Sequence, residues 1–144
     1  MEASAKRLEM ESLLRKAIEN EQFELYLQPI LDLDSGEITK AEALIRWNAE
    51  DGSIIKPDDF IPLAEQTGLI VPVGRWVINR AGEMLKTLLL HKPSLKLSVN
   101  LSPKQIVDRK LFSYLKSVVE HTGIPANNLE LELTRTRSFN RQLW

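Results

Sequence analysis

The sequence predicts an α/β fold in which an antiparallel hairpin opens a sheet that parallel strands continue. Three observations predict it. Two strand-like segments, FELYLQPILDL (23–33) and EITKAEALIRW (37–47), are joined by the short turn signal DSG. Beyond them, strand-like runs alternate with helix-like ones, an order that favours parallel pairing and right-handed crossovers. Each later strand is apolar on one face and polar on the other, because successive side chains point to opposite sides.

Taken in order, residues 5–20 read as a charged helix. Leu8, Leu13, Leu14, Ala17 and Ile18 make only a partial apolar stripe, and the high charge favours a linker from an upstream domain over an ordinary first helix. The hairpin follows. In AEALIRW, Ala41, Ala43, Ile45 and Trp47 share one face, while Glu42, Leu44 and Arg46 share the other. A loop, NAEDGSIIKPDD, leads to a short helix around FIPLAEQTG, with Pro57 and Asp58 suited to its start and Gly68 to its end. Residues 73–91 carry Val73, Trp76, Val77, Ala81, Met84, Leu85 and Leu88 at helical spacing. LKLSVNLS (95–102) is a strand. Ser102-Pro103-Lys104-Gln105 is a capping box that starts a helix with Val107, Leu111, Tyr114, Leu115 and Val118 on one face, and Gly123 closes it. NLELELT (128–134) is the last strand. The tail RTRSFNRQLW (135–144) has no strong pattern. The expected organisation is therefore a linker-like helix over 1–20, a domain over 21–134 and an atypical tail over 135–144.

Composition excludes several classes. The chain has 144 residues, a net charge of −1, no cysteine and two isolated histidines, His91 and His121. Disulfides and thiolate metal sites are excluded, and a histidine-based zinc site is disfavoured. The charge balance gives no sign of binding to a nucleic-acid polymer or an anionic membrane. No apolar run reaches the ~20 residues needed to cross a bilayer, and the charged N-terminus lacks the apolar core of a signal peptide. A cytoplasmic location is the default expectation.

The polar faces carry the functional signal. Glu42 and Arg46 lie on one strand; Ser98, Asn100 and Ser102 alternate with Leu97, Val99 and Leu101; Glu130, Glu132 and Thr134 alternate with Leu129, Leu131 and Leu133. One reading is that these faces meet water, as in many antiparallel sheets. The α/β alternation favours another, in which helices cover the apolar face and the polar face lines a barrel interior. Asn100 and Glu132 sit near the C-terminal ends of their strands, where α/β sheets and barrels hold their sites. Glu42, Asn100 and Glu132 are all oxygen donors, a set that suits Mg²⁺ or Mn²⁺ better than zinc.

The chain also resembles a known family. LYLQPILDLDSGEI, AEALIRW with its Glu42-Ala43-Leu44, IIKPDDFIPLAEQTGLIVPVGRWVI, SVNLS and LELELT occur in the order found in EAL domains, the bacterial cyclic di-GMP phosphodiesterase module. The resemblance runs from about Leu13 to Thr134. It implies about half of a (β/α)₈ TIM-type barrel whose first strand is antiparallel. It implies Glu42, Asn100 and Glu132 as ligands of the catalytic divalent metals, Mg²⁺ or Mn²⁺. It implies Arg46 as the grip on a substrate phosphate, Gln28 as a residue facing the ligand, and Pro57 and Phe60 near the guanine base. The implied reaction is hydrolysis of cyclic di-GMP to linear pGpG. A GGDEF or sensory domain upstream in a parent protein is a further implied partner.

Two features depart from the family pattern. Arg135 stands where the LELT motif continues into a glutamate, and the paired aspartates, the lysine and the later glutamate and glutamine have no match within residues 1–144. A full barrel takes about 250 residues. The expectation is a chain inactive by itself, with a non-catalytic cyclic di-GMP-binding or protein-interaction module as the alternative. Open edges on the first and fourth strands imply self-association.

Overall fold

In the computed structural model, residues 2–133 are described. The element order is α1 (Glu2–Glu19), β1 (Phe23–Asp32), β2 (Glu37–Asn48), β3 (Ile54–Ile55), α2 (Pro57–Thr67), α3 (Ile70–Leu89), β4 (Lys96–Leu101), α4 (Pro103–Ile106), α5 (Leu111–Thr122), a 3₁₀ turn (Ala126–Asn128) and β5 (Leu129–Leu133). The sheet runs β1-β2-β4-β5, with β3 paired to the end of β2. β1 and β2 are antiparallel, and β2, β4 and β5 are parallel. The predicted α/β class and the antiparallel opening are both present.

The hairpin forms because the local sequence supplies its turn. Gly36 takes a φ of 71°, which a side chain would disfavour. Asp32 and Ser35 side chains accept hydrogen bonds from the backbone N–H groups of Asp34 and Glu37. Gly68 and Gly123 take the left-handed conformation that ends α2 and α5.

The apolar faces of the strands and helices build one core. Ala41, Ala43, Ile45 and Trp47 from β2 and Leu97, Val99 and Leu101 from β4 are buried against Ile70, Val73, Val77, Ile78, Ala81 and Leu85 of α3. At one end lies an aromatic cluster. Phe60 meets Trp47 edge-on at 5.5 Å and stacks on Phe23 at 6.0 Å, and Phe23 meets Trp76 at 5.5 Å between centroids. Leu14 and Ala17 of α1 are fully buried in this core while Leu8 is exposed, so the second half of the helix that reads as a linker packs onto the fold.

Three elements differ from their sequence expectation. The loop after β2 contains the two-residue strand β3, whose Ile55 and Ile54 pair with Trp47 and Asn48. α3 begins at Ile70, earlier than residue 73. The helix expected to run unbroken from Pro103 is two helices. Asp108 breaks it by accepting from the Lys110 N–H and from Arg75, 2.9 Å away on α3. Val107 consequently lies exposed in the break rather than on the buried face. The tail 135–144, with Arg135, lies outside the described residues, as does Thr134.

Candidate functional site

Strand register brings the predicted polar residues to one face of the sheet. Gln28 of β1 is opposite Glu42 of β2, Glu42 is opposite Ser98 of β4, and Ser98 is opposite Glu130 of β5. The next row toward the C-terminal ends pairs Asn100 directly with Glu132. These positions alternate with the core residues Ala43, Val99 and Leu97, so the same pleat that buries the apolar side presents this one.

Asn100 is the least ordinary residue of the set. Its side chain is buried, with 3% of its surface exposed, yet among the described residues neither its amide nitrogen nor its oxygen has a hydrogen-bond partner. The Ser98 hydroxyl, one pleat away and also 3% exposed, is unpartnered as well. Leaving a buried polar group unpaired costs about 1–3 kcal/mol, so three such atoms on one face mark a place built for a polar ligand. Glu42 supports this from the electrostatic side. Burial pushes its carboxyl above the ordinary carboxylate range, and the neighbouring negative charge of Glu132 pushes it further. Two carboxylates close enough for one to raise the other, beside an unpaired carboxamide oxygen, fit a hard divalent cation. Among the described residues no three Asp, Glu, His or Cys side chains group closely enough for a metal, so the candidate set is two carboxylates and one carboxamide.

The alternation alone cannot separate Glu130 from Glu132. The structure separates them by partner: Glu130 is bridged by Lys40 at 3.3 Å and Lys96 at 3.6 Å. Arg46 lies further along β2 on the same face as Glu42. Its guanidinium sits 5.5 Å from the Tyr26 ring centroid and donates to the Ile45 carbonyl at 2.7 Å. It forms no ion pair with Glu42, as the separation of two pleats implies. Gln28 is exposed beside Glu42. Pro57 and Phe60 lie on α2. Both are buried, Phe60 completely, and Phe60 is closed off by Trp47 and Phe23. A guanine base near α2 would meet Phe60 only through the residues that cover it, because its side chain has no exposed surface here. Ser98 was legible as a polar position in SVNLS, but nothing local marks its hydroxyl as unpaired.

The raised Glu42 carboxyl has a measurable consequence. A group raised in the folded state contributes stability that is full below its unfolded value and is lost as pH rises through the folded value. In metal-free chain, Glu42→Gln is expected to remove that loss and raise the melting temperature at neutral pH. Thermal melts of both proteins in chelator from pH 4 to pH 8 check it, and parallel pH profiles contradict it.

Helices packed against a mixed sheet, with Asn100 and Glu132 near the carboxyl ends of its parallel strands, define an α/β protein with a site on its polar face. The EAL domain model matches residues 11–144, and the chain belongs to that family. Similar proteins include the cyclic di-GMP phosphodiesterase PdeR of Escherichia coli, 36% identical over 127 residues. Another is the cyclic di-GMP phosphodiesterase NbdA of Pseudomonas aeruginosa, 37% identical over 132 residues. The matches cover 88% and 91% of this chain but only 19% and 17% of those relatives. Among solved structures, the PaMucR phosphodiesterase in complex with c-di-GMP superposes with a TM-score of 0.83 at 31% identity. The FimX EAL domain of Xanthomonas citri in complex with c-diGMP superposes with 0.81 at 25% identity. These matches cover 92% and 96% of this chain and 54% of each of those chains. The fold is accordingly part of a TIM-type barrel.

Proposed function

We propose that this chain carries the first half of a cyclic di-GMP phosphodiesterase site. In it, Glu42, Asn100 and Glu132 hold Mg²⁺ or Mn²⁺ and Arg46 grips a phosphate of the dinucleotide. The observation that carries the reading is the buried, unpartnered Asn100 amide paired in register with Glu132 and close to the raised Glu42. When bound, the divalent metal supplies Lewis-acid activation of water and neutralises charge on the phosphodiester. The side chains supply the rest. Glu42 and Glu132 offer hard oxygen donors. Asn100 offers a neutral one from a fixed strand position. Arg46, steadied over Tyr26, presents a planar donor pair to a nonbridging phosphate oxygen. Gln28, opposite Glu42, adds an amide at the same surface. In the intact domain this arrangement serves hydrolysis of one diester bond, opening cyclic di-GMP to linear pGpG.

Residues 1–144 by themselves bind rather than turn over. Three oxygen donors leave the coordination of a two-metal site incomplete, and the family's lysine has no match in this sequence. The c-di-GMP named with the PaMucR and FimX structures supports the choice of ligand. Calorimetric titration of cyclic di-GMP, with Mn²⁺ and then with chelator, tests the reading, with chromatography of the same samples for linear product. Binding that needs Mn²⁺ and yields no product is expected. Binding of equal strength in chelator contradicts the metal-dependent site, and linear product contradicts the claim that the chain is inactive alone.

A further inference from the structure

Asn100 lies where β4 is least supported. The ladder between β2 and β4 ends at the pair Ala43–Val99, and beyond it the described ladder partners of Asn100 and Leu101 are Glu132 and Leu133 of β5. The chain then turns at Ser102 into α4. Three elements converge on that corner. The Ser102 N–H donates to the Gln105 side-chain oxygen at 2.9 Å, and the Ser102 hydroxyl accepts from the Lys104 N–H at 3.2 Å, closing the capping box. The same hydroxyl donates to a Glu65 carboxylate oxygen of α2 at 2.5 Å. The Lys104 ammonium donates to the Glu65 carbonyl at 3.1 Å. From α3, Gly74 lies so close to the Gln105 amide that an added Cβ would fall 1.7 Å from its nitrogen. Ser102 has no exposed surface and Gln105 is 2% exposed. A charged hydrogen bond to a fully buried hydroxyl is among the stronger that proteins make, and nothing in helix capping requires it. The capping box is complete without Glu65.

We infer that Glu65 is a positioning residue for the metal site. It holds Ser102, and through two residues of backbone it fixes the height and rotation of Asn100. The inference deepens the metal-binding reading above and rests on it. Groups behind metal ligands typically matter by 10–100-fold in affinity when removed, because a ligand free to wander must be ordered again on binding.

The test is Mn²⁺ titration of the full chain, reading free Mn²⁺ by electron paramagnetic resonance. Far-UV circular dichroism and a melting curve accompany each variant. Glu65→Ala is expected to weaken Mn²⁺ binding by about 10-fold or more. Glu65→Gln, whose amide oxygen still accepts from Ser102, is expected to restore affinity to within about 3-fold of the unmutated chain. Ser102→Ala removes the same hydrogen bond from its other end and reproduces the loss, which keeps the test decisive if Glu65→Ala does not fold. Unchanged Mn²⁺ affinity in folded Glu65→Ala or Ser102→Ala overturns the positioning role alone. So does a Glu65→Gln variant as weak as Glu65→Ala. Absence of Glu42-dependent Mn²⁺ binding in the unmutated chain overturns the proposed function and this role with it.

Discussion

Glu42→Ala is expected to weaken Mn²⁺ binding by at least about 100-fold, the upper end of what changes behind the ligands produce, while leaving the chain folded. The carboxylate is partly buried, is raised by burial and by Glu132, and makes no ion pair among the described residues. The apo fold therefore gains little from it and a cation gains much. Hard divalent cations are selected largely by the charge and number of their oxygen ligands, and this substitution removes one of two carboxylates. The free-Mn²⁺ signal in a titration measures the loss directly. Equal affinity in the mutant would place the cation elsewhere.

Phe60→Ala is expected to produce the largest loss of stability, about 3–5 kcal/mol by comparison with other buried aromatic truncations. Phe60 has no exposed surface and contacts Phe23 and Trp47 at centroid distances of 6.0 and 5.5 Å. Removing the ring leaves a cavity beneath the end of β2 and strips the edge of Trp47 of its partner. Marginal domains have only about 5–15 kcal/mol to lose. Urea denaturation gives the shift in midpoint. A mutant as stable as the parent but weaker for cyclic di-GMP would return Phe60 to the ligand surface and contradict its place in the core.

These two residues show what the sequence could and could not disclose. The face carrying Glu42 follows from alternation along AEALIRW, a local property, and the hairpin, the capping box at Ser102 and the glycine ends of α2 and α5 are local as well. Parallel order then put Asn100 and Glu132 at one end of the sheet. The burial of Phe60 comes from Phe23 and Trp47 on two strands, which no local pattern in FIPLAEQTG records. β3 was missed because a two-residue strand exists only through its pairing with Trp47 and Asn48. The break after α4 depends on Arg75 reaching Asp108 from α3. Within the site, Glu130 and Glu132 are equivalent by alternation, and the difference is the pair of lysines at Lys40 and Lys96. The unpaired state of Asn100 and Ser98 is likewise a property of three-dimensional surroundings that no spacing records.

The claim that three strands contribute to one cation site is tested most directly by a double-mutant cycle on Mn²⁺ affinity, using Glu42→Ala, Asn100→Ala and the pair together. Ligands of one ion are coupled, so the double mutant should lose far less than the sum of the two single losses. Additive losses, or none at all from Asn100→Ala, would show that Glu42 and Asn100 do not share an ion and would contradict the site.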